Sequence, residues 1–76
     1  MDRQPVESKT LKSVGFDPDQ RVLEVEFQAG GVYQYRDVSE NVYRDLLEAE
    51  SKGTYFRERI RAQYPYVRID QPGRAD

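Results

Sequence analysis

The first half of the chain alternates apolar and polar side chains in short runs, a pattern typical of strands with one buried face. The clearest run covers residues 21–28, where apolar positions alternate with Glu and Gln. Residues 10–16 and 32–36 form two further runs, and the segments DPDQ and AGG between the runs have the composition of tight turns. The pattern therefore predicts three strands joined as an antiparallel meander.

After the third run, apolar positions recur every three or four residues, which predicts helices. Ser39 is suited to cap the first helix, and Asp37 with Glu40 forms a rival capping-box start. Gly53 is placed to end this helix. A second, shorter helix is predicted over residues 54–63, and the proline that follows stops it.

Together these elements predict an α+β fold, a three-stranded antiparallel meander followed by two helices packed on one face. Residues 66–69 are apolar enough to pack on the domain, and a short extra C-terminal strand is one form that this packing can take. We expect residues 1–7 to form a flexible N-terminal arm, residues 8–69 a single domain and residues 70–76 a disordered tail. The predicted core draws on the strands and both helices: Leu11 or Val14, Phe16, Leu23, Val25, Phe27, Tyr33, Tyr35, Val42, Leu46, Leu47, Phe56 and Ile60.

The loop between the second and third strands decides which way Tyr33 and Tyr35 point. A two-residue loop places both rings on the acidic, solvent-facing side of the sheet. A three-residue loop that ends at Gly31 pairs Phe27 with Tyr33 instead. Val25 then lies opposite Tyr35, and both ring bodies are buried with their phenol oxygens at the edge. The second arrangement is favoured, because so small a domain needs most of its nine aromatic side chains in the core.

Composition excludes several classes of chemistry. The chain has no Cys and no His, which excludes disulfides, thiolate or imidazole metal sites, and the nucleophiles that depend on those residues. The formal net charge is −2, so the chain does not belong to the class of proteins that bind nucleic acid non-specifically through an overall positive charge. No apolar run is long enough to span a membrane, and residues 1–10 do not resemble a signal peptide. We therefore expect a cytoplasmic protein without a cofactor, a bound metal or a membrane partner.

Two acidic pairs are candidates for metal binding or catalysis. Asp17 and Asp19 flank Pro18, but the residues that follow do not continue a calcium-binding loop, so a turn is expected. Glu24 and Glu26 share one face of a strand and could act as paired acids. An exposed sheet face offers them no pocket that excludes water, so we expect no enzymatic activity.

Charge is distributed unevenly along the chain. Residues 1–51 carry six basic and eleven acidic groups, a net charge of −5, whereas residues 52–68 carry five basic groups and one acidic group, a net charge of +4. Aromatic residues interleave with the basic ones, a composition typical of surfaces that stack bases and contact phosphates. The candidate partner-binding residues all lie in this second segment: Lys52, Tyr55, Arg57, Arg59, Arg61, Tyr64 and Arg68.

A structural role for these side chains is the alternative. The arginines can form a solvated face that pairs with nearby carboxylates, and Arg59 points away from Arg57 and Arg61 on a helical projection. Tyr55 and Arg59 are one helical turn apart, so they can stack on a ligand together or contact each other within the chain.

The order of residues resembles the KTSC domain, a family named after the C-terminus of certain lysyl-tRNA synthetases that also occurs as small stand-alone bacterial proteins. The resemblance rests on LKSVGFDPDQRVLEVEF and GGVYQYRDVSENVYRDLLEAESKGTYFRERIRAQYPY, which cover nearly all of residues 8–69. The family's Tyr-x-Tyr motif maps onto Tyr33 and Tyr35, for which a structural role is expected. Ser39 stands where the family often has proline, and serine keeps the capping role. Further matched positions are Val42, Tyr43, Leu46, Ala49, Ser51, Gly53, Tyr55, Phe56, Ile60, Tyr64 and Pro65.

The resemblance carries a suggested role in RNA binding, which derives from the association with synthetases. Together with the basic and aromatic segment, it makes RNA, such as tRNA or another structured RNA, the first candidate partner. The alternative is a protein-interaction module that docks a client protein or a second copy of itself, which the net negative charge favours. Both hypotheses describe a small, non-enzymatic binding module.

Overall fold

The structure is a computed structural model that describes residues 2–70. Its sheet contains five antiparallel strands, and strands that are consecutive in the chain are neighbours in the sheet. The strands are β1 (Gln4–Pro5), β2 (Leu11–Asp17), β3 (Val22–Phe27), β4 (Val32–Tyr35) and β5 (Tyr66–Arg68). The two helices between β4 and β5 are α1 (Glu40–Glu48) and α2 (Lys52–Arg59). The predicted α+β fold, with its meander, two helices and short C-terminal strand, is confirmed.

A bulge in β2 turns two residues to the core that simple alternation would place on opposite faces. Leu11 lies opposite Phe27, whereas Val14 lies opposite Val25, so the pairing register shifts between them. The extra residue in β2 directs both Leu11 and Val14 toward the helices, and both are fully buried. The sequence pattern predicted either Leu11 or Val14 in the core, and in the structure both residues lie there.

The hairpin between β3 and β4 has the predicted loop length but a different register. Val25 lies opposite Tyr33 rather than Tyr35. The three-residue loop begins one position earlier than expected, since the Phe27 amide donates to the Gly31 carbonyl at 3.1 Å. This change shifts every pair by two residues and leaves the faces unchanged, so both tyrosines point to the core side as the longer loop predicts.

Serine side chains cap both helices. Ser39 accepts a hydrogen bond from the backbone amide three residues ahead at 3.3 Å, which confirms it as the cap of α1. Ser51 caps α2 in the same way, also at 3.3 Å. The prediction that Gly53 ends α1 is wrong, because α1 ends at its cap Ala49 and Gly53 lies in the first turn of α2. Helix α2 therefore begins and ends earlier than the predicted range of 54–63.

The core between the sheet and the helices contains nine buried residues within the described range. They are Leu11, Val14, Leu23, Val25, Tyr35, Val38, Leu46, Phe56 and Ile60. The other predicted core residues are partly buried and pack around them: Phe16, Phe27, Tyr33, Val42 and Leu47. The sequence pattern misses Val38, which follows the left-handed Asp37 with φ of 64° and donates its amide to the Arg21 carbonyl at 3.0 Å. A single buried residue between a strand and a helix shows neither the strand period nor the helix period.

The N-terminal residues differ from the expected flexible arm, because β1 pairs with β2. Arg3 forms an ion pair with the carboxylate of Glu24 in β3. The backbone before Arg3 crosses β2 so closely that a Cβ atom on Gly15 would overlap the carbonyl oxygen of Asp2. A strand of two exposed residues has no hydrophobic period, so the sequence pattern could not reveal it.

Asp17 holds the turn between β2 and β3. Its side chain accepts hydrogen bonds from the amide of Asp19 at 3.0 Å and from the amide of Gln20 at 3.3 Å, which confirms the predicted turn. Within residues 2–70, no group of three or more acidic side chains is arranged to hold a metal ion. None of the helices in this part of the chain has the length and the hydrophobicity needed to cross a membrane.

Candidate functional site

Five aromatic rings meet in a closed circuit on the helix side of the sheet. Phe27 contacts Tyr33 with ring centroids 5.4 Å apart, and Tyr33 contacts Tyr66 at 5.7 Å. Tyr66 contacts Tyr35 at 5.4 Å, and Tyr35 contacts Phe56 at 5.3 Å. Phe56 closes this aromatic circuit by contacting Phe27 at 5.3 Å. Three strands and helix α2 contribute to the circuit, so it exists only in the folded domain.

The aromatic circuit lines a groove of about 580 Å³. The basic side chains along this groove are Lys9, Arg57 and Arg61. Small residues that keep the groove open come from the β3–β4 loop and from the start of α2: Ala29, Gly30 and Gly53. Among the described residues that line it, none is acidic. We refer to this feature, the five rings with the three basic side chains at their rim, as the aromatic–basic groove.

Helix α2 and the turn after it position one wall of the groove. Phe56 is buried, while Arg57 and Arg61, four residues apart, line the groove with their charged side chains exposed. The first turn of α2 lies against the residue before β2, since a Cβ atom on Gly53 would lie 2.8 Å from the Thr10 hydroxyl. This close approach brings Lys9, the neighbour of Thr10 in the chain, to the same rim as the two arginines.

The electrostatics of the groove favour an anionic ligand. Burial raises the pKa of Tyr35 to about 12, with smaller contributions from the phenols of Tyr66 and Tyr33, while the Arg61 guanidinium opposes the rise. The Tyr35 phenol is therefore neutral at physiological pH, and the charged side chains that line the groove in the described part of the chain are Lys9, Arg57 and Arg61, which are all positive. Neutral ring faces beneath a cationic rim suit a planar ligand that carries negative charge.

Two of the predicted partner-binding residues, Arg57 and Arg61, lie together in this groove. Lys52 lies in an adjoining cavity of about 390 Å³, where its ammonium donates to the Ala49 carbonyl at 3.3 Å. The cavity shares Lys9 and Arg57 with the groove, but two glutamates also line it. It is therefore less suited to an anion than the groove is.

Besides Lys52 and Arg68, three predicted partner-binding residues do not line the groove: Tyr55, Arg59 and Tyr64. Tyr55 and Tyr64 are half-buried and pack against the core. Burial raises the pKa of Tyr55, the carboxylate of Asp45 in α1 raises it further, and Arg59 opposes the rise. The phenol of Tyr55 therefore lies within electrostatic reach of both Asp45 and Arg59.

Arg68 is held at the edge of the groove by an acidic residue. Its guanidinium lies over the Tyr33 ring, 5.8 Å from the centroid, and its Nε donates to Asp70 at 3.0 Å. The same Asp70 oxygen accepts the Val32 amide at 2.7 Å, and these two hydrogen bonds lower the pKa of Asp70. Because its charge is compensated, Arg68 adds less to the rim than a count of charges suggests. Residues 71–76, the rest of the predicted tail, lie outside the described residues.

The sequence did not identify Lys9, Phe27 and Tyr66 as members of the groove. Lys9 belongs to the acidic half of the chain, and it reaches the groove because the first turn of α2 packs against its neighbour Thr10. Tyr33 and Tyr35 were expected to be structural, and both contribute to the core as well as to the groove. Tyr66 joins these two rings because β5 pairs with β4. To predict this contact from the sequence, the three-residue strand β5 would have to be recognised first.

The paired glutamates lie on the opposite face of the sheet. The expectation that this face is exposed is wrong for Glu24, which is only 5% exposed. Arg3 forms an ion pair with Glu24, and the Gln34 side chain donates to it at 2.9 Å. Glu26 accepts a hydrogen bond from the Ser13 hydroxyl at 2.8 Å. These contacts balance the charge or satisfy the hydrogen-bonding groups of both carboxylates. Glu24 and Glu26 therefore have a structural role beneath β1.

The KTSC domain family matches residues 7–64 of this chain. An uncharacterized protein of Stutzerimonas stutzeri strain A1501 is 45% identical over 71 residues, which are 92% of this chain and 100% of that protein. A lysine–tRNA ligase of Nostoc sp. strain PCC 7120 is 33% identical over 63 residues, which are 83% of this chain but only 11% of the ligase. The crystal structure of a KTSC domain protein from Yersinia pestis is similar with a TM-score of 0.88 and 40% identity, covering 90% of this chain and 96% of that one. The chain therefore belongs to the KTSC domain family.

Proposed function

We propose that this domain is a non-enzymatic module that binds unpaired segments of RNA through the aromatic–basic groove. The observation that carries the proposal is the closed aromatic circuit beneath a rim of Lys9, Arg57 and Arg61. An unpaired base would stack on the accessible ring faces, and the phosphates beside it would contact the rim. None of the groove residues within positions 2–70 carries a carboxylate that would repel those phosphates.

The groove suits a short single-stranded segment better than a duplex. Stacking of one base on an aromatic side chain contributes about 1–3 kcal/mol, and any base can supply it. Bases inside a duplex are already stacked on both faces and are not free to enter the groove. The volume of about 580 Å³ lies within the range of small-molecule binding sites.

The rest of the chain limits the affinity. Residues 1–51 carry a net charge of −5, which opposes the approach of a polyanion to the domain. We therefore expect micromolar or weaker binding by the isolated domain, and tighter binding where a second copy or a second domain adds contacts. The similarity to a segment of lysine–tRNA ligases supports an RNA partner by association, because those enzymes act on tRNA.

An NMR titration with a short single-stranded RNA tests this function. We expect amide shift changes at groove positions such as Thr10, Gly30 and Arg57, with little change around the β2–β3 turn. The same titration with a blunt RNA duplex of equal charge should give smaller changes. Shift changes confined to other faces of the domain, or no changes at high micromolar RNA, would contradict the proposal.

Protein interaction is a second candidate function, because the outer edge of the sheet is exposed at β5. The large hydrophobic residues that are exposed in the described part of the chain all lie in β5 or directly after it: Tyr66, Val67 and Ile69. Such an edge can pair with an added strand. The two surfaces share Tyr66 but otherwise use different residues, so one titration that maps shift changes at the other positions distinguishes the two functions.

A further inference from the structure

Strand β5 presents backbone groups along the edge of the sheet that no residue in the described range 2–70 binds. The Ile69 amide donates to the Val32 carbonyl at 2.8 Å, and the Arg36 amide donates to the Pro65 carbonyl at 2.9 Å. In an antiparallel pair, hydrogen-bonded positions alternate, so residues 65, 67 and 69 direct their backbone groups toward β4. Tyr66 and Arg68 therefore direct their amide and carbonyl groups outward, where a further strand can bind them.

The side chains along this edge are apolar on both faces of the sheet. Tyr66 is 54% exposed on the groove side, whereas Val67 and Ile69 are 42% and 44% exposed and belong to the opposite face. The edge at β1 differs, because it consists of two residues and one of them is Pro5, which has no amide to donate. The exposed apolar surface and the unused hydrogen-bonding groups thus coincide at β5.

We infer that β5 pairs antiparallel with β5 of a second copy of this chain, around a two-fold axis that passes beside Val67. This inference makes the second candidate function specific and does not depend on RNA binding. The register follows from the backbone, because Tyr66 and Arg68 are the residues whose amide and carbonyl groups point outward. Tyr66 of one copy must therefore lie opposite Arg68 of the other copy across the two-fold axis. Val67 then lies opposite Val67 of the second copy.

The side chains complement one another in this register on both faces of the sheet. On the groove side, the Arg68 guanidinium already lies over the Tyr33 ring of its own chain, 5.8 Å from the centroid. Pairing places Tyr66 of the second copy on the other side of Arg68, so the cation is enclosed between two rings. On the opposite face, the two Val67 side chains meet at the axis with Ile69 beside them, and apolar surface is buried.

This complementarity favours a second copy over an unrelated peptide. Any peptide could use the outward backbone groups, but only a strand with an arginine and an aromatic residue two positions apart, and an apolar residue between them, satisfies both faces in the same register. Strand β5 is itself such a strand. Because three residues pair on each side, the interface is smaller than the ~800 Å² per partner of stable complexes, so the dimer forms only at high concentration.

The dimer would also bring two aromatic–basic grooves together. Tyr66 belongs to the aromatic circuit of its own copy and lies on the strand next to the axis. The two grooves therefore open on the same side of one continuous sheet of ten strands. Arg68 of each copy then lies beside a Tyr66 ring of the other, so each copy contributes a residue to the edge of its partner's groove.

Sedimentation equilibrium with charge variants tests the inference in the absence of RNA. We expect wild type to show a concentration-dependent dimer as its concentration rises toward about 1 mM, the range of weak protein association. Val67→Lys and Val67→Glu should each lose the dimer, because two like charges would face each other at the axis. An equimolar mixture of the two variants should regain it, because the opposite charges would then meet.

Matched controls are Gln4→Lys and Gln4→Glu on the opposite edge strand β1, which should dimerise as wild type does. Thermal melts of all variants show whether each is folded, and Val67 is exposed enough to tolerate both substitutions. A wild type that stays monomeric throughout this concentration range would overturn the inference. Variants at Val67 that dimerise as wild type does, or a mixture that stays monomeric, would overturn it equally. None of these outcomes bears on RNA binding, which is tested separately.

Discussion

The ring of Tyr35 in β4 meets the ring of Phe56 in α2 edge to face, with centroids 5.3 Å apart and planes at 84°. This contact joins the sheet to the second helix, and both rings are 3% exposed. The same two rings form the floor of the aromatic–basic groove. The core and the candidate site therefore share side chains, and each substitution in the groove must be judged for stability as well as for binding.

Tyr35→Ala should lower the stability of the domain, and this loss should be evident before any effect on binding can be measured. Truncation of a buried aromatic ring typically costs about 3–5 kcal/mol of unfolding free energy. Tyr35→Phe keeps the ring contacts and should cost far less. Denaturant midpoints measure the difference, and equal midpoints for Tyr35→Ala and wild type would show that the ring is not part of the core.

Stability should fall at high pH because of Tyr35. Its pKa is about 12 in the folded domain and about 10 in an unfolded chain. The raised pKa contributes stability that is fully present below pH 10 and is lost as the pH rises from 10 toward 12, because only the unfolded state releases the proton in that window. Tyr35→Phe removes the group, so unfolding midpoints measured across this range should depend less on pH for that variant. An identical pH dependence for the two proteins would contradict the assignment.

The pattern of hydrophobic residues was sufficient to predict the meander, both helices and most of the core, because each of these elements repeats its period several times. The pattern failed for features that are too short to repeat a period. Strand β1 has two residues, Val38 is a single buried position, and the end of α1 depends on Ala49 rather than on a glycine. The hairpin register was wrong by two residues because the position of a loop does not change which faces are buried.

The candidate site was predictable only in part, for a similar reason. Arg57 and Arg61 are one helical turn apart, so the sequence alone places them on one face. Lys9 reaches the same rim because α2 packs on the start of β2, a contact between segments more than forty residues apart in sequence. Tyr66 joins the tyrosines of β4 through strand pairing, and neither contact leaves a local pattern.

Gly53→Ala should destabilise the domain although alanine normally favours a helix by about 1 kcal/mol over glycine. The new Cβ atom would lie 2.8 Å from the Thr10 hydroxyl and 3.0 Å from the Thr10 Cβ, so α2 must move away from Thr10. In a Thr10→Gly background, the same substitution should no longer destabilise. A double-mutant cycle from denaturant midpoints measures this coupling, and additive effects would show that the two residues do not touch.

Tyr66→Ala should weaken RNA binding with only a modest loss of stability. This ring is 54% exposed and lies at the edge of the circuit, against Tyr33 and Tyr35. Removal of a stacking ring should cost about 1–3 kcal/mol of binding free energy, with little dependence on salt. Val67→Ala, at the next residue but on the other face of the sheet, is the control and should bind as wild type does. Fluorescence anisotropy with a labelled single-stranded RNA measures both variants, at protein concentrations too low for dimerisation.

The most direct test of the proposed function is the salt dependence of binding to single-stranded RNA, measured for wild type and for a variant in which Lys9, Arg57 and Arg61 are all replaced by Ala. Each phosphate contact with a single strand contributes about 0.7 to the slope of log affinity against log salt, so the variant should lose about 2 from this slope and bind weakly even at low salt. The control variant replaces Lys12, Arg44 and Arg59, which carry the same total charge but do not line the groove, and it should keep the wild-type slope. Equal slopes and affinities for the two triple variants, or no binding by wild type at high micromolar protein and low salt, would contradict the proposal.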